Sequence, residues 1–284
     1  MAKAAGVVLA GGRSSRMGTA KAALEWHGST LLRRVTGVVG RAVDGPVVVV
    51  GARGQVLPDP DPRVEVVRDA RAGRGPLQGL AAGLTAVADR ADVAFVCSTD
   101  LPFLHVAFVR AVVRPLLDDG AATDVVLPVV HGYRQPLAAA YRTSLAGEVE
   151  RLLAAGLRRP AHLLERCRVH RLDHDALLAD RALAAADPEL DSVVNVNDPG
   201  EYAAARARPA PEVTVECFGV LAGAAGRGTR RVAAATLGEA ARARGLALGP
   251  HVVAAVNGDQ IARDPDVPLV RDDAIAFLSA DAGG

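Results

Sequence analysis

Paired glycines at Gly11 and Gly12, with Arg16 and Lys21 close behind, are the ingredients of a phosphate-holding loop. Glycines let backbone N–H groups turn toward an anion with no Cβ in the way, and the two cations can neutralise phosphate oxygens. The spacing is not that of a Walker A loop, because Lys21 is followed by Ala22 rather than Ser or Thr. Of the 33 basic residues only Lys3 and Lys21 are lysine. A compact ammonium at position 21 suits a point charge resting on a phosphate; equally, one of two lysines had to fall somewhere. Asp100, in Ser98-Thr99-Asp100-Leu101-Pro102, adds a carboxylate that can hold Mg²⁺ against a nucleotide. The competing role for Asp100 is to start the turn before Pro102 or to cap the next helix.

What must position these groups is an alternation of strands and helices. The apolar runs Ala4–Leu9, Pro46–Val50, Val64–Val67 and Val93–Cys97 read as buried strands. Ser29 or Thr30 caps a helix reaching about Val43, and the turn Gly73–Gly79 opens an Ala-rich helix to about Ala88. The pattern predicts a mostly parallel, doubly wound α/β sheet, in which ligands bind beyond the carboxyl ends of strands. The Gly11-Gly12 loop and Asp100 then share one sheet edge. Val125–Val130 and Gln135–Tyr141 flank a hairpin tip at His131-Gly132-Tyr133-Arg134, and Ser144–Ala186 is helical in pattern with a short strand at Val169–Leu172. His162, His170 and His174 show no metal-ligand spacing. Val193–Asp198 ends in amides and an acid, at the site edge or as an N-cap before Pro199.

A chain of 284 residues exceeds the usual single domain, and the pattern resets beyond the Pro-containing stretch Arg206–Pro211. The expected division is a domain over 1–207, a linker at 208–211 and a small α+β module over 212–284. That module reads as strands at Val213–Phe218 and Thr229–Ala233, a helix at Thr236–Arg244, and strands at Val252–Val256 and Ala274–Leu278. The net charge of +1 argues against a nucleic-acid or membrane-surface partner. Three scattered cysteines, Cys97, Cys167 and Cys217, indicate neither a zinc site nor a disulfide framework. With no signal-like or membrane-spanning stretch, a cytoplasmic protein is expected.

Leu9-Ala-Gly-Gly-x-Ser-x-Arg-Met-Gly-x-x-Lys21 resembles the signature of the MobA-like nucleotidyltransferases, among them the molybdenum cofactor guanylyltransferases. Asp69, Gly75-Pro76-Leu77, Asp100-Leu-Pro-Phe103, Gln135-Pro136-Leu137 and Asn195-Val-Asn197 follow in family order, so the resemblance covers about residues 4 to 207. It implies a Rossmann-like domain that transfers GMP from GTP to molybdopterin or its molybdenum form and releases pyrophosphate. By that resemblance Leu9, Ala10, Gly11, Gly12 and Lys21 hold the nucleotide, Asp69 contacts the guanosine, Asp100 binds Mg²⁺, and Asn195 and Asn197 lie near acceptor and metal. Arg16, Lys21 and Asp100 are the implied catalytic set. Where these guanylyltransferases commonly have an Asn after the second strand, this chain has Gly51-Ala52-Arg53, which keeps open a cytidylyltransferase of the same pathway; a guanylyltransferase for another small phosphorylated acceptor is a further alternative. The last seventy or so residues resemble the β-grasp (ubiquitin-like) sulfur carrier of molybdopterin synthase, through Cys217-Phe218-Gly-Val-Leu, Val256-Asn257-Gly258, Ala276-Phe277-Leu278 and the terminal Gly283-Gly284. That likeness implies a thiocarboxylate on Gly284, with an adenylating enzyme and the large synthase subunit as partners; the alternative is a docking or regulatory module.

Overall fold

The computed structural model describes residues 3–11, 17, 20–69, 75–120, 122–258 and 260–280. The chain divides into two compact units, Met1–Leu24 with Thr30–Tyr202 and Glu25–Ser29 with Ala203–Gly284. The division falls a few residues before the expected linker. Gly12, Arg16, Gly283 and Gly284 lie outside the described residues.

The chain runs through β1 (Ala4–Leu9), the short β2 (Glu25–Trp26) and β3 (Ser29–Thr30), α1 (Leu31–Ala42), β4 (Val47–Ala52), β5 (Val64–Asp69), α2 (Pro76–Val87), β6 (Val93–Ser98) and α3 (Val106–Asp118). Next come β7 (Val125–Val130), β8 (Tyr133–Arg134), β9 (Ala138–Arg142), α4 (Ala146–Ala154), α5 (Pro160–Leu164), β10 (Val169–Leu172), α6 (His174–Leu178), α7 (Arg181–Ala186) and α8 (Pro199–Arg206). The main sheet has the order β10-β7-β9-β6-β1-β4-β5, with β8 paired to β7. Only the pairings of β9 with β6 and β7, and of β8 with β7, are antiparallel. The order reverses at β1, where β4 and β5 continue to one side and β6 lies on the other.

Strand β1 is buried on both faces, as its unbroken Ala/Gly/Val/Leu composition requires. A Cβ on Gly6 would meet Val39 Cγ1 of α1 at 2.3 Å, while a Cβ on Gly83 of α2 would meet Val7 Cγ1 at 2.2 Å. Neighbouring β1 residues thus face different helices, α1 on one side and α2 on the other. Thr30 rather than Ser29 caps α1, its hydroxyl accepting from the Arg33 N–H at 3.2 Å. Gly75 precedes α2 at φ 82°, a conformation natural to glycine, and Pro76 takes the first helical position.

Several local expectations change. Helix α3, anticipated only as an unplaced next helix after Asp100, has His105 as its N-cap, whose Nδ1 accepts from the Ala107 N–H at 3.1 Å. Asp100 is therefore not the cap of that helix. The return strand of the hairpin begins at Ala138 instead of Gln135: the Gln135 N–H donates to the Pro128 carbonyl of β7 at 2.9 Å, but ladder pairing with β6 starts only at Ala138. The expected helical stretch Ser144–Ala186 is four short helices around β10.

The second unit continues through β11 (Glu212–Cys217), α9 (Val220–Ala225), β12 (Arg230–Ala233), α10 (Leu237–Ala243), β13 (Val252–Val256), β14 (Gln260–Ala262) and β15 (Ala274–Ser279). Its sheet has the order β12-β11-β15-β13-β14, with β11 and β15 parallel and the other neighbours antiparallel. Val213, Val215, Leu237, Val256, Leu269, Ile275 and Phe277 form its core. Buried Arg244 donates to the carbonyls of Val215 and Gly226 at 3.1 and 2.7 Å. Asn257 and Gly258, with φ of 54° and 81°, begin the connection between Val256 of β13 and its partner Gln260 of β14. Helix α9 and strand β14 were not anticipated. No helix among the described residues is long and apolar enough to cross a membrane.

Candidate active site

The reversal of strand order at β1 opens a crevice at the carboxyl ends of β1 and β6, where open α/β sheets place their ligands. The two ends are level, since Leu9 pairs with Ser98 and the Thr99 N–H reaches the Leu9 carbonyl at 3.3 Å. Ala10-Gly11 leave the sheet from one strand and Ser98-Thr99-Asp100 from the other.

Four sequence-selected residues, Lys21, Asp100, Asn195 and Asn197, meet at this edge. The Lys21 ammonium donates to Asp100 Oδ2 at 2.7 Å and to Asn197 Oδ1 at 2.9 Å. Asn197 Nδ2 in turn donates to Asn195 Oδ1 at 3.0 Å. Lys21 and Asp100 are only 20% and 14% exposed, so their charges meet largely out of bulk water. Asp100 is further fixed by the Ser98 hydroxyl, which donates to Oδ1. Its own carbonyl accepts from the Val196 N–H at 3.0 Å, docking the Asn195–Asn197 segment onto the end of β6.

That segment is irregular, and buried side chains give it a single course. The Asp187 carboxylate accepts from the Asp191 and Ser192 N–H groups at 2.7 and 3.0 Å, across a turn that holds Leu190 at φ 54°. Ser192 Oγ accepts from the His105 N–H at 3.0 Å. At the far end Asp198 caps α8 by accepting from the Glu201 N–H at 2.9 Å, and Glu201 reaches back to the Asn197 N–H at 2.6 Å. This reciprocal arrangement resembles a capping box and gives Asp198 a structural role. On the other flank, buried Arg34 of α1 donates from Nε to the Pro102 carbonyl and anchors the turn after Asp100.

The remaining expected residues spread along the same edge. Leu9 is buried in the core against α2, with its carbonyl engaged by Thr99, so only its main chain stands at the crevice. Ala10 and Gly11 both donate to the Val50 carbonyl, at 2.9 and 3.1 Å. Asp69 ends β5, directly opposite Ala52 of β4. Three strand spacings separate β5 from β6, about 14 Å, a span suited to a nucleotide lying across the strand ends. His131 at the hairpin tip and His174 of α6 bring their rings to 6.0 Å between centroids, tilted by 44°. Cys97 is wholly buried beneath the site; burial, assisted by the Asp100 charge, pushes its thiol far up, which excludes it as a nucleophile. Sequence reasoning missed Ser98, Glu201, Arg34 and Gln55. Ser98 lies two residues before Asp100, and that short spacing was its only signal.

Residues 6–172 match the MobA-like NTP transferase domain family. The chain belongs to this family. As a MobA-like protein it is a nucleotidyltransferase, and its main sheet has the mixed α/β nucleotidyltransferase fold. It is 44% identical over 164 residues to a probable molybdenum cofactor guanylyltransferase of Mycobacterium ulcerans, a match covering 57% of this chain and 79% of that protein. A probable molybdenum cofactor guanylyltransferase of Mycobacterium tuberculosis is 42% identical over the same length and coverage. Among solved structures, the molybdopterin-guanine dinucleotide biosynthesis protein A of Archaeoglobus fulgidus is 25% identical with a TM-score of 0.56, covering 71% of this chain and 96% of that one. Asn195 and Asn197 lie beyond the MobA-like match, which ends at Leu172, and hydrogen bonds to Lys21 and Asp100 bring them back to it.

Proposed function

We propose that the MobA-like domain transfers GMP from GTP to the terminal phosphate of molybdopterin or its molybdenum form. The observation that carries this reading is the Lys21 ammonium bridging Asp100 and Asn197 at the point where the sheet order reverses. An oxygen of the acceptor phosphate attacks the α-phosphorus of GTP in line, the α–β bridging P–O bond breaks, and pyrophosphate leaves. Such chemistry needs positioning and charge neutralisation more than covalent participation. Lys21 balances charge building on the leaving group, with Arg16 in the same role. The main chain that leaves β1 at Ala10, Gly11 and Gly12 holds the nucleotide beyond the Ala10 and Gly11 N–H groups, which are engaged by the Val50 carbonyl; Asp69 orients the guanosine, and Asn195 and Asn197 face the acceptor.

The donor set suits Mg²⁺. Asp100, Asn195 and Asn197 offer hard oxygen atoms, and no cluster of three His, Cys, Asp or Glu side chains is found among the described residues. One carboxylate completed by phosphate oxygens and water is the usual way a nucleotide's Mg²⁺ is held. Bound there, the ion would withdraw charge from the phosphate oxygens; this chain's part is to hold Asp100 in place through Ser98 and Val196. A CTP-using transferase is the second reading, favoured by Ala52, which offers a base only a methyl group. Turnover of GTP and CTP with molybdopterin, followed as pyrophosphate release, tests both: a GTP preference is expected, and a CTP preference would overturn the guanylyl assignment.

For the second unit we propose a β-grasp sulfur carrier with Gly284 as the thiocarboxylate. The mixed sheet with β11 and β15 parallel at its centre, and α10 following the first hairpin, supports this reading. An adenylating enzyme and the large molybdopterin synthase subunit are the partners it implies. Intact mass after incubation with the activating enzyme tests it; the absence of an oxygen-to-sulfur mass shift, with the module released or not, would leave a docking role.

A further inference from the structure

The ladder between β1 and β4 ends at the Leu9–Val50 pair. Beyond it Ala10 and Gly11 both turn their N–H groups onto one acceptor, the Val50 carbonyl, and the two chains are free to part. The Gln55 side chain closes that gap. Its Nε2 donates to the Ala10 carbonyl at 2.9 Å and its Oε1 accepts from the Ala52 N–H at 2.9 Å. One amide thus forms an extra rung between the strand ends where the phosphate loop departs.

Gln55 is itself held twice, its N–H donating to the Ala52 carbonyl at 3.1 Å and its carbonyl accepting from Arg68 Nη1 at 2.9 Å. The Arg68 guanidinium occupies space a side chain at Gly51 would take, because a Cβ there would lie 2.6 Å from Nη1. Across the rung the chains approach closely, since a Cβ on Gly11 would stand 3.3 Å from the Ala52 nitrogen. Ala52 pairs in register with Asp69, so the rung connects the first strand end to the carboxylate at the third.

We infer that Gln55 is a positioning residue for the nucleoside subsite: it binds no part of the substrate but sets the spacing of Ala10, Ala52 and Asp69 at the strand ends. The inference rests on the transferase reading above. With a methyl group at position 52, base recognition falls on main-chain groups and on Asp69, and these discriminate only while their spacing is fixed. Phosphate binding through Lys21 and Asp100, on the β6 side of β1, does not pass through this rung.

The test is isothermal titration of the full-length chain with GTP, CTP, ATP and inorganic tripolyphosphate, each with Mg²⁺, for wild type, Gln55→Ala and Gln55→Glu. The glutamate variant keeps the acceptor for Ala52 and loses the donor to Ala10, and thermal melts verify that both variants fold. Both variants are expected to bind the preferred nucleotide about tenfold more weakly, the scale of one lost hydrogen bond, and to discriminate less between bases. Tripolyphosphate affinity is expected to stay within about twofold. Unchanged nucleotide affinity in both variants, or an equal loss for tripolyphosphate, would overturn the inference. A wild-type chain that binds tripolyphosphate but no nucleotide would overturn the transferase reading and this inference with it.

Discussion

Replacing Asp100 by Asn separates the chemistry of the site from its fold. Asparagine keeps the size of the carboxylate, an acceptor for the Lys21 ammonium and a partner for the Ser98 hydroxyl, and removes only the charge. At 2.7 Å and an effective dielectric near 20 the Lys21–Asp100 attraction is about 6 kcal/mol. Desolvating a carboxylate and an ammonium costs several kcal/mol each and cancels most of that gain. The net stability at stake is therefore about 1 kcal/mol, and the melting temperature is expected to fall by about 2–4 °C. Catalysis depends on the charge itself, because a neutral amide holds a phosphate-bound cation poorly. Loss of one preorganised electrostatic partner typically costs about 2.7–4 kcal/mol, or 10²–10³ in turnover. Pyrophosphate release with GTP, Mg²⁺ and molybdopterin, measured beside a thermal melt, gives both numbers from one preparation. A variant that melts like wild type and turns over within about threefold of it would refute the assignment of Asp100 to metal and phosphate; the threefold limit corresponds to less than about 1 kcal/mol.

Further consequences can be measured independently. Lys21→Arg is expected to lose about tenfold or more in turnover despite retaining the charge, because a planar guanidinium cannot reproduce the ammonium's contacts to Asp100 and Asn197; wild-type kinetics would contradict this. Gly83→Ala drives a methyl to 2.2 Å from Val7 Cγ1 and should destabilise the first unit by about 1–3 kcal/mol, read as a lower urea midpoint. No thiol should react rapidly with an aromatic disulfide at pH 8 before unfolding: Cys97 and Cys217 are buried, and Cys167 is pushed up to about 11, first by burial and then by the Asp124 and Glu148 charges. Arg168 holds the Asp124 carboxyl below its ordinary value, chiefly through its side-chain hydrogen bonds. A depressed carboxyl stabilises the fold above its unfolded value and loses that contribution as pH falls through the folded one, so Asp124→Asn should flatten the acid limb of the stability curve and leave its slope near pH 7 unchanged.

The chemistry-bearing parts of the site were legible because each announces itself locally. Glycines after an apolar run, a rare lysine and an acid just past a strand need only a strand-order argument to meet, and Lys21 and Asp100 do meet. What the sequence concealed works through hydrogen bonds that leave no periodicity. Gln55 sits three residues past a strand end in a Gly54-containing turn, and nothing in its neighbours signals that its amide spans two strands. Helix α3 was hidden by Pro102 before it and by Pro115 inside it, a residue that ordinarily interrupts a helix by removing an i→i−4 hydrogen bond. Asp198 carried two possible roles in the sequence, and the Glu201 N–H assigns it to the cap.

The geometry also explains why the amides at 195 and 197 lie so far along the chain from the loop they serve. Lys21 stands on a single turn of 3₁₀ helix after the loop, too short to fix a long flexible side chain by packing. A further acceptor, Asn197 Oδ1, comes from a segment tied by its main chain to Asp100 itself, so one anchor positions these two partners of the lysine. On the proposed transferase reading, an incoming phosphate would meet a cation whose direction is already set. On that reading, reorganisation that would otherwise fall on the substrate's binding energy would be completed when α8 and its cap fold.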